Sequence, residues 1–173
     1  MKERLSDLCR NKVGSKLLYR WLGRFNHQVT SGFHRDNAGD HSFLLLGYEP
    51  TAVNSRVFVA DYTRMIEDKE ISLREYFEGF EDINVARSTY SLESYTTEVR
   101  PFPKEHYRLL ILNNSKSFDH KTFGVFHRGI IDEKAVGEDR VINSVMLELA
   151  SLPIEEQVGT QDVLDFVRTD KVY

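Results

Sequence analysis

Thr122-Phe123-Gly124-Val125-Phe126-His127-Arg128-Gly129-Ile130 has the apolar, β-branched and aromatic make-up of a strand inside a β-rich core, with one imidazole standing in it. Runs of the same texture occur at His27 to Phe33, Ser42 to Tyr48, Arg56 to Tyr62, Tyr107 to Leu112 and Val141 to Leu147. Short strands in this number, separated by turn residues, predict a mainly β fold, a sandwich or barrel.

Helical patterns frame these strands. Leu5, Leu8, Val13, Leu17, Leu18, Trp21 and Leu22 recur at helix-like spacings and predict a helical lead-in from Glu3 to about Arg24, broken near Gly14. Ser72 and Glu75 have capping-box spacing just ahead of Tyr76, Phe77 and Phe80, which predicts an inserted helix. A last helix is expected to start at Thr160 as N-cap, with Val163, Leu164 and Val167 on its buried face. Between Gly79 and Pro103 the polar run Ser88 to Thr97 reads equally as an edge strand or a loop, bounded by Pro101 and Pro103.

The chain has 173 residues, 40% hydrophobic and 29% charged, the size and mixture of one globular domain, 1–173. With 23 basic against 27 acidic residues, no overall positive field draws it to a phosphate backbone, so nucleic acid is not an expected partner. Cys9 is the single cysteine. That excludes an intramolecular disulfide and a zinc site of several thiolates, and it fits a reducing compartment. The charged start Met1 to Asp7 has no apolar run after it, and no stretch has the length of a membrane span. A cytoplasmic protein without membrane partners is expected; oligomeric state is not readable.

The chemistry is carried by His34-Arg35-Asp36, where an apolar run enters a turn rich in Asn37, Gly39 and Asp40. In extended chain, residues i and i+2 share a face, so His34 and Asp36 aim an imidazole and a carboxylate at one point. A second imidazole from another strand completes a facial triad with open positions on the metal, and His127, inside its apolar run, is the best donor. Arg140 opens the strand from Val141 and places a guanidinium to grip a carboxylate bidentately. His27, His41, His106 and His120 are the competing ligands, and Arg56, Arg100, Arg108 and Arg128 the competing anchors. The string His34-Arg35-Asp36 also matches the start of a kinase catalytic loop, but that loop needs an asparagine where this chain has His41, and no glycine-rich phosphate loop precedes it.

His-x-Asp, a distal His on a late strand and an Arg at the start of the last core strand together resemble the Fe(II)/2-oxoglutarate-dependent oxygenase family. The tail Phe126-His127-Arg128-Gly129 followed by Asp139-Arg140-Val141-Ile142-Asn143-Ser144 resembles its taurine-dioxygenase and clavaminate-synthase type. The resemblance covers residues 27 to 147. It implies a double-stranded β-helix, or jelly roll, braced by the N-terminal and C-terminal helices. It implies Fe(II) on His34, Asp36 and His127, and the cosubstrate 2-oxoglutarate anchored on Arg140, with Thr63 as a candidate second contact. The implied activity is that of a dioxygenase, which uses molecular oxygen to hydroxylate a small molecule such as an amino acid or biosynthetic intermediate. Asp36 argues against a halogenase, whose relatives leave the carboxylate position to chloride.

Two other readings stay open. A cupin-like jelly roll, an isomerase or sensory binding domain, would bind metal or ligand without activating oxygen. A degenerate relative, suggested by the short region before His34, would keep the triad and lack a complete cosubstrate pocket. Substrate identity lies in segments such as 64–104, whose conformation the sequence does not dictate.

Overall fold

A computed structural model of the chain describes residues 2–36, 39–77, 85–86, 90–101, 104–116, 124–150 and 158–173. Its elements in chain order are α1 (Lys2–Val13), β1 (Lys16–Asn26), β2 (Ser42–Tyr48), β3 (Asn54–Ala60), α2 (Tyr62–Asp68), α3 (Leu73–Phe77), β4 (Thr96–Glu98), β5 (Arg108–Asn113), β6 (Phe126–Glu133), β7 (Val141–Ala150) and α4 (Thr160–Arg168). The strands form two antiparallel sheets, one of four strands in the order β1-β7-β2-β5 and one of three in the order β4-β3-β6. The fold is thus mostly strands, with helices at both ends of the chain.

The two sheets face each other across Leu44, Leu46, Tyr48, Leu112 and Met146 from the larger and Val57 from the smaller. Alternation then fixes the outer faces. On the larger sheet, Leu17, Leu45 and Leu147 point outward and are covered by α1 through Cys9. On the smaller sheet, Ala60 and Phe126 point outward into a cluster with Tyr62, Met65, Tyr76 and Phe77 of α2 and α3. Both short helices are capped as their sequences dictate. The Asp61 carboxylate accepts from the Arg64 N–H at 3.0 Å, and the Ser72 hydroxyl from the Glu75 N–H at 3.1 Å. No helix among the described residues is long and apolar enough to cross a membrane.

The lead-in departs from the sequence expectation. The helix stops at Val13, Gly14 takes the left-handed conformation at φ +67°, and Lys16–Asn26 pairs with β7 along its whole length. The reason is a register shift between Tyr19 and Trp21, which leaves Arg20 as an extra residue. Before it Leu17 and Tyr19 face outward; after it Trp21, Gly23 and Phe25 face inward, opposite Met146, Ser144 and Ile142. A strand that changes faces midway loses its period of two, and its leucines imitate a helix.

Residues 27–33 also correct the expectation of a regular strand. They run beside β6 with the Ser31 N–H donating to the Gly129 carbonyl at 3.0 Å and side chains taking the place of other ladder bonds: the Thr30 hydroxyl accepts from the Ile131 N–H and the Ser31 hydroxyl from the Gly129 N–H, each at 3.0 Å. In α4 the N-cap is Gly159 rather than Thr160, and Val163 and Phe166 are half-buried while Leu164 and Val167 are exposed. Thr122 and Phe123 of the predicted strand, and much of 79–103, lie outside the described residues; within that span, Thr96–Glu98 is the edge strand β4.

Candidate metal centre

The site begins as a cross-strand pair. His34 and His127 exchange both backbone hydrogen bonds at 2.9 Å, the closely bonded type of antiparallel pair, so their side chains stand side by side on one face. Their rings lie 4.4 Å apart, centroid to centroid. Asp36, two residues on from His34, comes to the same face. His34 Nε2 is 3.3 Å from Asp36 Oδ1, and His127 Nε2 is 3.9 Å from Asp36 Oδ2. One donor atom from each of the three lies within 4.8 Å of the other two. Adjacent donors on an octahedral ion with bonds of about 2.1 Å sit about 3 Å apart, so small side-chain movements close this set around a metal.

The electrostatics suit that role. Burial alone would pull the His34 pKa down, but its hydrogen bonds to Asp36 and to the Gly32 carbonyl, with the Asp36 charge, raise it above 6.5. Burial would push Asp36 up; the hydrogen bond from His34 and the charges of His127, His34 and His27 bring it below 3.8. His127 is pulled down to about 4 by burial and by the charge of His34, against the pull of Asp36. An ionised carboxylate and a neutral buried imidazole are what a cation requires. With the His34 Nδ1–H donated to Gly32 O at 2.8 Å, Nε2 faces Asp36, holds the proton shared with it, and is the nitrogen left to a metal once that proton is displaced. His127 Nδ1 is buried and has no hydrogen-bond partner among the described residues. These three residues form a group that could hold a metal ion.

The triad opens into a cavity of about 580 Å³ between the sheets, walled by Leu46, Ile142 and Met146 on one side and by His127 and Gly129 on the other. Arg140, just ahead of β7 and 3% exposed, lines the same cavity. Its Nε donates to the Ser55 hydroxyl and its Nη1 to the His27 carbonyl, each at 3.0 Å, and its guanidinium lies 5.2 Å from the Tyr48 ring centre. Burial lowers the Arg140 pKa, opposed by the charge of Tyr48 and a hydrogen bond to it. Tyr48 in turn is pushed up to about 12 by burial, against Arg140 and with the charge of Asp36 adding.

Of the residues read from the sequence, His34, Asp36, His127 and Arg140 therefore meet in one cavity. Thr63 lies in the first turn of α2 and is not among the residues lining it. His27 lines the cavity without joining the triad, His106 lines a separate small one, and His120 lies outside the described residues. Arg56 is committed at the surface to Asp132. Tyr48 and Ser55, which hold Arg140, escaped the sequence reading; the signal for Tyr48 was its place two and four residues after the inward-facing Leu46 and Leu44. Arg35 was passed over too. Strand alternation turns it away from its two flanking ligands, and it is buried at 2% exposure, donating from Nη1 to the Tyr62 hydroxyl and the Ser115 carbonyl, each at 2.9 Å. No family model, curated protein sequence or solved structure matches this chain.

Proposed function

We propose that the protein is an Fe(II)- and 2-oxoglutarate-dependent oxygenase of jelly-roll type that hydroxylates a small molecule. The observation that carries this reading is the buried Arg140 guanidinium in the same cavity as the His34, Asp36 and His127 group. A cationic side chain pays a desolvation cost to stay there, and a carboxylate ligand offsets it.

In this reading His34, Asp36 and His127 would hold the iron and would leave coordination positions for cosubstrate and oxygen. Arg140, held by Ser55 and the His27 carbonyl, receives the far carboxylate of 2-oxoglutarate, with the Tyr48 hydroxyl beside it. Leu46, Ile142 and Met146 keep water from the reacting centre. Bound iron supplies the activation of oxygen, coupled to decarboxylation of 2-oxoglutarate to succinate and carbon dioxide, with the second oxygen atom going to the substrate as hydroxyl.

Anaerobic titration of 2-oxoglutarate into the Fe(II)-loaded protein tests the reading. We expect the weak visible metal-to-ligand charge-transfer band of the chelate in wild type and its loss in Arg140→Ala at unchanged iron content. Iron binding without the band in wild type replaces the oxygenase with the cupin-like or degenerate reading. Failure to bind iron removes the triad itself.

A further inference from the structure

Trp21 is the chain's one tryptophan, and it stands 47% exposed on the wall of the cavity that holds the triad. Tryptophan is ordinarily well buried, so a half-exposed indole at a cavity wall calls for a cause. The local chain is built to put it there. The extra residue Arg20 turns Trp21 from the outer face of β1 to the inner one, where Phe25 joins it from the same face. The two rings are parallel to within 5°, with centroids 6.5 Å apart. Both fold over Gly23: a Cβ at that position would lie 2.5 Å from Phe25 Cζ and 2.8 Å from Trp21 Nε1. Glycine is therefore what lets the two parallel rings approach each other at the cavity wall.

The surroundings select what such a surface holds. Arg24 is engaged by Glu49 and by Asn143, and Arg20 by Glu148, so the cations next to the platform on β1 already have partners. Further in, the same sheet continues with Ile142, Met146 and Leu46. A saccharide needs donors and acceptors around its ring, an anion needs a free countercharge, and a cation, though an indole face attracts it, would share the cavity with the Arg140 guanidinium; a neutral π-face makes none of these demands. We propose that the molecule taken by this site carries a neutral aromatic or heteroaromatic ring, which lies on Trp21 and Phe25 while the rest of the molecule extends toward the triad. That the ring belongs to a substrate rests on the oxygenase reading above; that it binds the platform is measurable without metal.

The single indole N–H resonance of the ¹⁵N-labelled full chain reports on the platform alone. Titration with benzamide should shift it saturably, while cyclohexanecarboxamide, alike in size and amide but without π electrons, and methyl glucoside should not. Phe25→Leu should weaken benzamide about tenfold, the scale of one lost aromatic pairing. Gly23→Ala, which displaces both rings without removing either, should weaken it as well. The proposal is overturned if benzamide gives no saturable shift up to its solubility, if cyclohexanecarboxamide or the glucoside binds as well as benzamide, or if Phe25→Leu binds benzamide like wild type. A benzamide shift in a protein that gives no charge-transfer band with 2-oxoglutarate keeps the aromatic platform and removes the oxygenase; the band without the shift does the reverse.

Discussion

His34, Asp36 and His127 carry unequal numbers of protons into metal binding. Near neutral pH Asp36 is ionised and His127, with its pKa near 4, is neutral, so neither gives up a proton to the ion. His34 differs: its pKa is raised above 6.5, and below that value a metal displaces its proton. Affinity for Co(II), read from its visible absorption, should therefore fall about tenfold per pH unit from His34's pKa down to about 4, and level off above that pKa. A hundredfold fall per unit in that window would mean that both imidazoles start protonated, and would refute the assignment. Arg35 acts from the opposite face. Its guanidinium lies 5.3 Å from the Phe77 and Phe126 ring centres and 5.4 Å from that of Tyr62, and it anchors the backbone between two ligands. Arg35→Ala leaves the Tyr62 hydroxyl and Ser115 carbonyl without this donor, so urea denaturation should show a loss of about 3 kcal/mol. Metal affinity should fall with it, because His34 and Asp36 lose their shared support.

At the scale of elements, legibility followed periodicity. Ser42–Tyr48 matched its sequence run to the residue, and Val141–Ala150 began where expected, because each is built round an unbroken apolar run, Phe43 to Leu46 and Val145 to Leu147. β1 was hidden by its own bulge, while residues 27–33 read as a regular strand because composition does not show that the Thr30 and Ser31 hydroxyls accept from β6 N–H groups. The triad was legible although the strand around it was not, since the i, i+2 relation of His34 and Asp36 survives in any extended segment, paired or not. Tyr48 and Ser55 were illegible as partners of Arg140, for their nearness comes from the facing of two sheets and leaves no mark on local spacing. The entry to β6 shows the same dependence on tertiary packing. A Cβ on Gly124 would lie 2.5 Å from the Ser115 carbonyl oxygen, 2.8 Å from the Ser115 nitrogen and 2.9 Å from the Asn113 oxygen, all of them backbone. Gly124→Ala should cost about 1–3 kcal/mol by overpacking, seen as a lower urea midpoint at unchanged slope. An alanine variant as stable as wild type would mean that the 113–115 turn yields without cost.

For the whole molecule the triad is a bridge between distant parts of the chain. His34 and Asp36 belong to the segment that leaves the larger sheet after β1, whereas His127 sits in β6 of the smaller sheet. An ion bound by all three fixes that segment to β6, adding to the His34–His127 pair, the Ser31 N–H bond to the Gly129 carbonyl and the Thr30 and Ser31 side-chain bonds. An ion that binds the folded chain and not the unfolded one raises stability by mass action, by about 2.7 kcal/mol when free metal is a hundred times its dissociation constant. For a chain of this length that corresponds to a rise in Tm of about 5–10 °C, growing with the logarithm of metal concentration. Calorimetry with Fe(II) under anaerobic conditions, or with Co(II), should show that rise and its reversal by chelator. His127→Ala should remove it. His41→Ala should retain it in full, since His41 lies outside the triad. A rise that survives His127→Ala would place the ion elsewhere on the molecule, and with it the chemistry assigned to the space between the two sheets.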